Sequence, residues 1–303
     1  MIPIVDTHQH LWDLTQFQLA WFDPKTPEGK ILGHNFTPKE YAEATKGLNL
    51  VKAVYMEVDV VPEQQQKEAD YVVELCKSGT TPTCAAVVSG RPNSDAFEAY
   101  AKQFKGSKYV KGIRQVLHVK STPPGYALEP AFVKGIKLLG DLGLSFDLCV
   151  RPAELPDYVK LVDQCPGTRF VLDHCGKPAI RDGALEPWAT NLAHLASHDT
   201  VSCKLSGLLT EASPSHRDTA TLMRFAERVV ECFGPDRLMY GSDWPVLTLA
   251  GDYANWYAFT RHVTAQWSAD ELAGFYGGNA ARFYGFVTAE RLPTGRVEAQ
   301  SRV

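Results

Sequence analysis

The chain has 303 residues, 45% of them hydrophobic and 22% charged, with a formal net charge of −4. This composition is globular, and with no basic run it excludes nucleic-acid binding through a charged patch. No apolar run approaches the roughly 18 residues of a membrane-crossing helix, so a membrane role is not expected either.

The first apolar run, 4–6, leads into Asp6-Thr7-His8-Gln9-His10. Strand side chains alternate with period 2, so His8 and His10 point the same way and can grip a divalent ion or a polar substrate. The connection 11–36 is long and aromatic, with Trp12, Phe17, Trp21 and Phe22. A loop of this length is expected to be functional or to form a lid. Thr37-Pro38-Lys39-Glu40 is a capping box with proline at the first helical position. Apolar runs recur at 53–58, 84–88, 110–116, 144–150, 170–172 and 201–205, most of them nearly unbroken, as expected of parallel strands buried on both faces. Ser213-Pro214 repeats the cap-then-proline device and predicts a helix start. Its core stripe is Leu222, Phe225, Ala226, Val229, Val230 and Phe233. Gly234-Pro235 stops that helix, and 238–241 is the eighth strand. The segment after Tyr284 is polar and expected to fray.

Eight strands with helices between them predict an α/β fold, a (β/α)8 TIM-type barrel in a single domain over 1–285, with a polar tail over 286–303. A doubly wound sheet is the alternative. It would carry a glycine-rich phosphate turn where this chain has His-x-His. The seven cysteines (76, 84, 149, 165, 175, 203 and 232) are scattered with no Cys-x-x-Cys. Reduced thiols in a cytoplasmic protein are expected, and no secretory leader is evident. Cys175, beside His174, reads as a small buried residue rather than a nucleophile.

Barrel enzymes place their chemistry at the C-terminal ends of the strands. In strand order those ends offer His8 and His10; Glu57 and Asp59; Ser89 and Arg91; Arg114, with Gln115 and His118 beyond; Asp147 and Arg151; Asp173, His174 and Lys177; Lys204 and Ser206; Ser242 and Asp243. Charges at nearly every strand end are costly unless they pair or act. Glu57 is open between a ligand and an Arg or Lys partner. Lys204 and Asp147 are expected to pair across the barrel as scaffold. His34, His118, His194, His198, His216 and His262 read as ordinary.

Together His8-x-His10, His174 and Asp243 resemble the amidohydrolase superfamily. The late Gly278-Asn279-Ala280-Ala281-Arg282-Phe283-Tyr284 segment resembles its "amidohydrolase 2" branch. The stretches Asp6–Asp13, Asp173–Pro178 and Tyr240–Pro245 are similar to its sugar-acid and muconate-type lactonases. Strand four offers Arg114 rather than a bridging Lys or Glu, and strand five offers Asp147 rather than a His. The resemblance therefore implies at most a mononuclear site, with His8, His10, Glu57, His174 and Asp243 as candidate ligands and zinc as the suited ion. A metal-free site, with the histidines on the substrate, stays open.

The expected reaction is hydrolysis of a small-molecule lactone, with a sugar-acid (aldono-) lactone favoured over a muconolactone. Asp243 would be the general base, with His8, His10 and His174 stabilising the oxyanion. Arg114 and Lys177 would bind substrate oxygens, and Trp12, Trp21 and Trp244 would line the mouth. No Gly-x-Ser-x-Gly elbow is present, against a serine esterase. Lactone isomerisation, metal-dependent decarboxylation and a non-catalytic sugar-acid binder are the rivals.

Overall fold

In a computed structural model, which describes residues 2–287, eight parallel strands lie side by side in sequence order. They are β1 (Ile4–Gln9), β2 (Leu50–Met56), β3 (Thr83–Ser89), β4 (Val110–Val116), β5 (Ser145–Cys149), β6 (Arg169–Leu172), β7 (Val201–Leu205) and β8 (Leu238–Tyr240). Helices follow each strand, as βαβ crossovers require, and the sheet curls into a nearly closed (β/α)8 barrel. No helix among the described residues is long and apolar enough to cross a membrane. The polar tail read over 286–303 lies, from 288 on, outside the described residues.

Two apolar layers hold the barrel together. Val5, Val54, Met56, Ala85, Val87, Val171 and Met239 fill its lower interior, closed from below by Ala280 and Tyr284. Leu222, Phe225, Val229 and Phe233 of the helix Thr219–Phe233 are buried in the larger sleeve outside the strands. Each such side chain contributes about 1.5–3 kcal/mol of burial.

Alternation along β4 to β7 then carries polar groups up the interior, while β1 shifts register between Asp6 and Gln9. Two residues above Val171 stands Asp173, and Arg114 of β4 pairs in register with Asp147 of β5. Lys204 Nζ sits 2.6 Å from Asp147 Oδ2 and 3.1 Å from Asp173 Oδ1, so the expected Lys204–Asp147 pair forms and Asp173 joins it.

The seam between β8 and β1 relies on loop backbone and side chains. His10 N donates to Trp244 O (2.8 Å) and Asp243 N to His8 O (2.9 Å). Asp6 is the staple across it. Its carboxylate accepts from Ser242 N (2.9 Å), Ser242 Oγ (2.5 Å), His8 N (3.0 Å), Tyr41 Oη (2.8 Å) and Tyr253 Oη (3.0 Å).

Two local expectations need correction. The helix expected from Ser213-Pro214 starts later. Pro214–His216 is a separate 3-10 turn, and Ser213 Oγ lies 2.7 Å from His216 Nδ1 instead of capping. Asp218 is the cap, accepting from Thr221 N at 2.9 Å. The second strand stops at Met56, not at 58. Glu68 Oε1 takes the Val58 N–H at 2.7 Å, so a side chain ends the ladder there.

Candidate active site

The upper ends of the strands surround a cavity of about 270 Å³. At its floor β1 and the loop after β8 meet. His8 Nε2 lies 3.2 Å from His10 Nε2, and Asp243 Oδ1 lies 3.3 Å from His10 Nε2 and 3.7 Å from His8 Nε2. His174 Nδ1 is 3.8 Å from Asp243 Oδ2 and 3.0 Å from Ser206 Oγ. His10, His174 and Asp243 line the cavity, and His8 is fully buried beneath them.

Unusual backbone aims these groups. His174, Cys175, Gly176 and Lys177 are all left-handed, with φ of 50°, 56°, 71° and 53°, and Asp243 has φ 60°. Such positions are strained for non-glycine residues and persist only where the surroundings enforce them. Gly207 (φ +71°) lets the β7 loop pass His174, for a Cβ there would fall 2.7 Å from the His174 Cβ.

The proton map follows from fixed partners. His10 Nδ1 lies 3.0 Å from the Met56 carbonyl, which only accepts, so Nδ1 carries the hydrogen. Asp173 Oδ1, 3.4 Å from His8 Nδ1, draws the His8 hydrogen to that atom in the same way. Both Nε2 lone pairs then face each other and Asp243 Oδ1. Arg114 Nη1 also reaches His8 Nε2, at 3.4 Å, and the set of two imidazoles and a carboxylate fits a divalent ion.

Burial holds His8 and His174 well below the usual histidine range; Asp173 for His8 and Asp243 for His174 only partly oppose it. Burial alone would raise Asp243. His174, His10 and Lys177 outweigh it and keep the carboxyl below its ordinary value, hence ionised.

The remaining candidates divide. Trp12, Trp21, Arg114 and Lys177 line the cavity with the cluster. Trp244 does not. The turn at Asp243 sends its ring into the sleeve, 5.2 Å from Tyr41 and 5.3 Å from Phe36. Glu57 stands apart from the histidines. Arg114 Nε holds its Oε1 at 2.7 Å and Asp59 N its Oε2 at 2.6 Å, so it is a counter-ion. Arg114 is correspondingly committed, with Nη1 also 3.2 Å from Asp173 Oδ2. Lys177 pairs with Glu211, which the sequence reading missed. His118, read as ordinary, lines the cavity with Cys149; burial, then Lys177 and Arg114, push its pKa down to about 3. Its place two residues beyond β4 was the available signal.

The amidohydrolase family model matches residues 5–286. The chain belongs to the amidohydrolase family. An L-fucono-1,5-lactonase of Burkholderia ambifaria is 32% identical to it over 286 residues, covering 92% of this chain and 94% of the relative. A second L-fucono-1,5-lactonase, from Burkholderia multivorans, is 30% identical over 292 residues, covering 92% and 95%. An amidohydrolase from Burkholderia multivorans solved with bound zinc superposes at a TM-score of 0.84 with 26% identity, covering 94% of this amidohydrolase and 99% of that one.

Proposed function

We propose that this amidohydrolase opens a sugar-acid lactone of the L-fucono-1,5-lactone type to the free hydroxy acid. The observation that carries the reading is the ionised Asp243 facing the cavity among His8, His10 and His174, in a chain similar to two lactonases of that name. Asp243 takes a proton from water, and the water oxygen bonds to the lactone carbonyl carbon. Ser206 Oγ lies 3.0 Å from His174 Nδ1, and in the tautomer that accepts there His174 presents Nε2–H to the carbonyl oxygen and stabilises the tetrahedral oxyanion. The ring C–O bond then breaks, and the proton held by Asp243 passes to the departing ring oxygen. His8, His10 and Asp243 would hold a divalent ion, with zinc best suited to the set, and when bound it supplies Lewis acidity at the carbonyl.

A neutral sugar ring suits the cavity better than a dicarboxylate. Its two strong cations are already paired, Arg114 with Glu57 and Asp173 and Lys177 with Glu211. Trp12 and Trp21, with ring centroids 5.8 Å apart, offer an apolar wall for the ring. A cytoplasmic location is supported by seven free cysteines, as a reducing compartment keeps them.

The test is a pH-indicator assay on the purified protein against aldono-1,4- and 1,5-lactones and muconolactones. Acid release from an aldonolactone is the expected result. Turnover without acid release would mean isomerisation, and silence on the whole panel would reject the reading.

A further inference from the structure

We propose that Asp59, oriented by Arg91, is a specificity residue that accepts a hydrogen bond from a hydroxyl of the sugar lactone. The inference rests on the lactone-hydrolase reading above and adds a substrate contact away from the reacting carbonyl.

Asp59 leaves β2 and lines the same cavity as His10, His174 and Asp243. Its backbone is left-handed, with φ 50°. Four contacts enforce this. Asp59 N donates to Glu57 Oε2 (2.6 Å), and Asp59 O accepts from Ala20 N (2.8 Å). The preceding Val58 is clamped by Glu68 Oε1 on its N–H (2.7 Å) and by Trp21 Nε1 on its carbonyl (2.9 Å). Strained aspartates held by this much structure are commonly placed for use.

The side chain is set as firmly. Arg91 Nη2 lies 3.2 Å from Asp59 Oδ1, and Arg91 Nη1 is itself held by Ser89 Oγ (3.0 Å) and Gly90 O (3.2 Å). Arg91 does not line the cavity, whereas Asp59 does. Among the described residues no donor reaches Asp59 Oδ2. Burial, then the nearby Glu57 charge, push the carboxyl up to about 6. A carboxylate short of donors, beside the Trp12 and Trp21 rings, matches a sugar's mixture of apolar ring face and hydroxyl edge.

The experiment compares wild type with Asp59→Gly, which removes the carboxylate and suits a positive φ. Asp59→Asn serves as the second variant, since asparagine also tolerates that backbone. Both are assayed on an aldono-1,5-lactone and on δ-valerolactone, which lacks hydroxyls. The expected result is a loss of about tenfold or more in kcat/KM on the aldonolactone, with δ-valerolactone turnover changed less than about threefold. Equal losses on both lactones would make Asp59 structural, and no loss on the aldonolactone would remove it from recognition. Either result overturns the proposal while leaving lactone hydrolysis standing. A wild type silent on both lactones would overturn the hydrolase reading and this proposal with it.

Discussion

At the scale of single residues, Asp243 combines a left-handed backbone with a carboxyl held below its ordinary value. Asp243→Asn keeps the shape and removes the proton acceptor. We expect it to fold, by circular dichroism, and to lose about 10²-fold or more in kcat. Gly207→Ala would set a Cβ 2.7 Å from the His174 Cβ. It should cost about 1–3 kcal/mol in thermal unfolding and lower kcat by displacing the ring. His10→Ala removes one of two facing imidazoles, so elemental analysis should find zinc near one equivalent in wild type and well below it in the variant. His8 and His10 were legible in the sequence because period 2 points both the same way, and His174 and Asp243 by their place just past strand ends, although left-handed backbone sets their direction. Trp244 was misplaced because its direction depends on the φ of its neighbour, which no pattern encodes. Glu57 and Arg114 were ambiguous for a related reason. A carboxylate 57 residues from its guanidinium finds it only once the barrel has closed that distance.

Among elements, the end of β2 is governed by the helix Gln65–Ser78, which packs against β3. That helix supplies Glu68, which accepts from Tyr55 Oη (2.9 Å) and Val58 N (2.7 Å). Burial, then the Glu57 charge, push the Glu68 pKa from 4.5 up to about 8. A raised carboxyl binds its proton in the fold but not in the unfolded chain. Its stabilising contribution is complete below pH 4.5 and is lost as pH rises toward 8. Glu68→Gln keeps the acceptor and cannot ionise. Its melting temperature should exceed that of wild type at pH 8 by the equivalent of a few kcal/mol at most, with the gap closing by pH 5. An unchanged gap across that range would count against a protonated Glu68. All eight strands were readable as apolar runs, because both faces of a parallel sheet are buried. The early stop of β2 was not, since it depends on a side chain from the next helix.

For the molecule as a whole, the barrel interior is apolar below and charged above. Lys204 is fully buried between Asp147 and Asp173. Lys204→Met would leave two buried carboxylates facing each other, and a loss of about 3–5 kcal/mol in denaturant unfolding is expected. A smaller loss in Lys204→Met/Asp147→Asn than in the single variant would show that the stranded charge is the cause. The staple at the seam bears on how the protein is made. Asp6 and Ser242 lie 236 residues apart, and the same two stretches bring His8 and His10 to Asp243. At ordinary rates of synthesis the first strand waits roughly ten to fifty seconds for its last partner. During that interval β1 is an open edge, able to pair with other chains. Both histidines emerge early from the ribosome, yet a nascent chain lacking β8 holds no complete site, so activity arrives only when the chain is nearly finished.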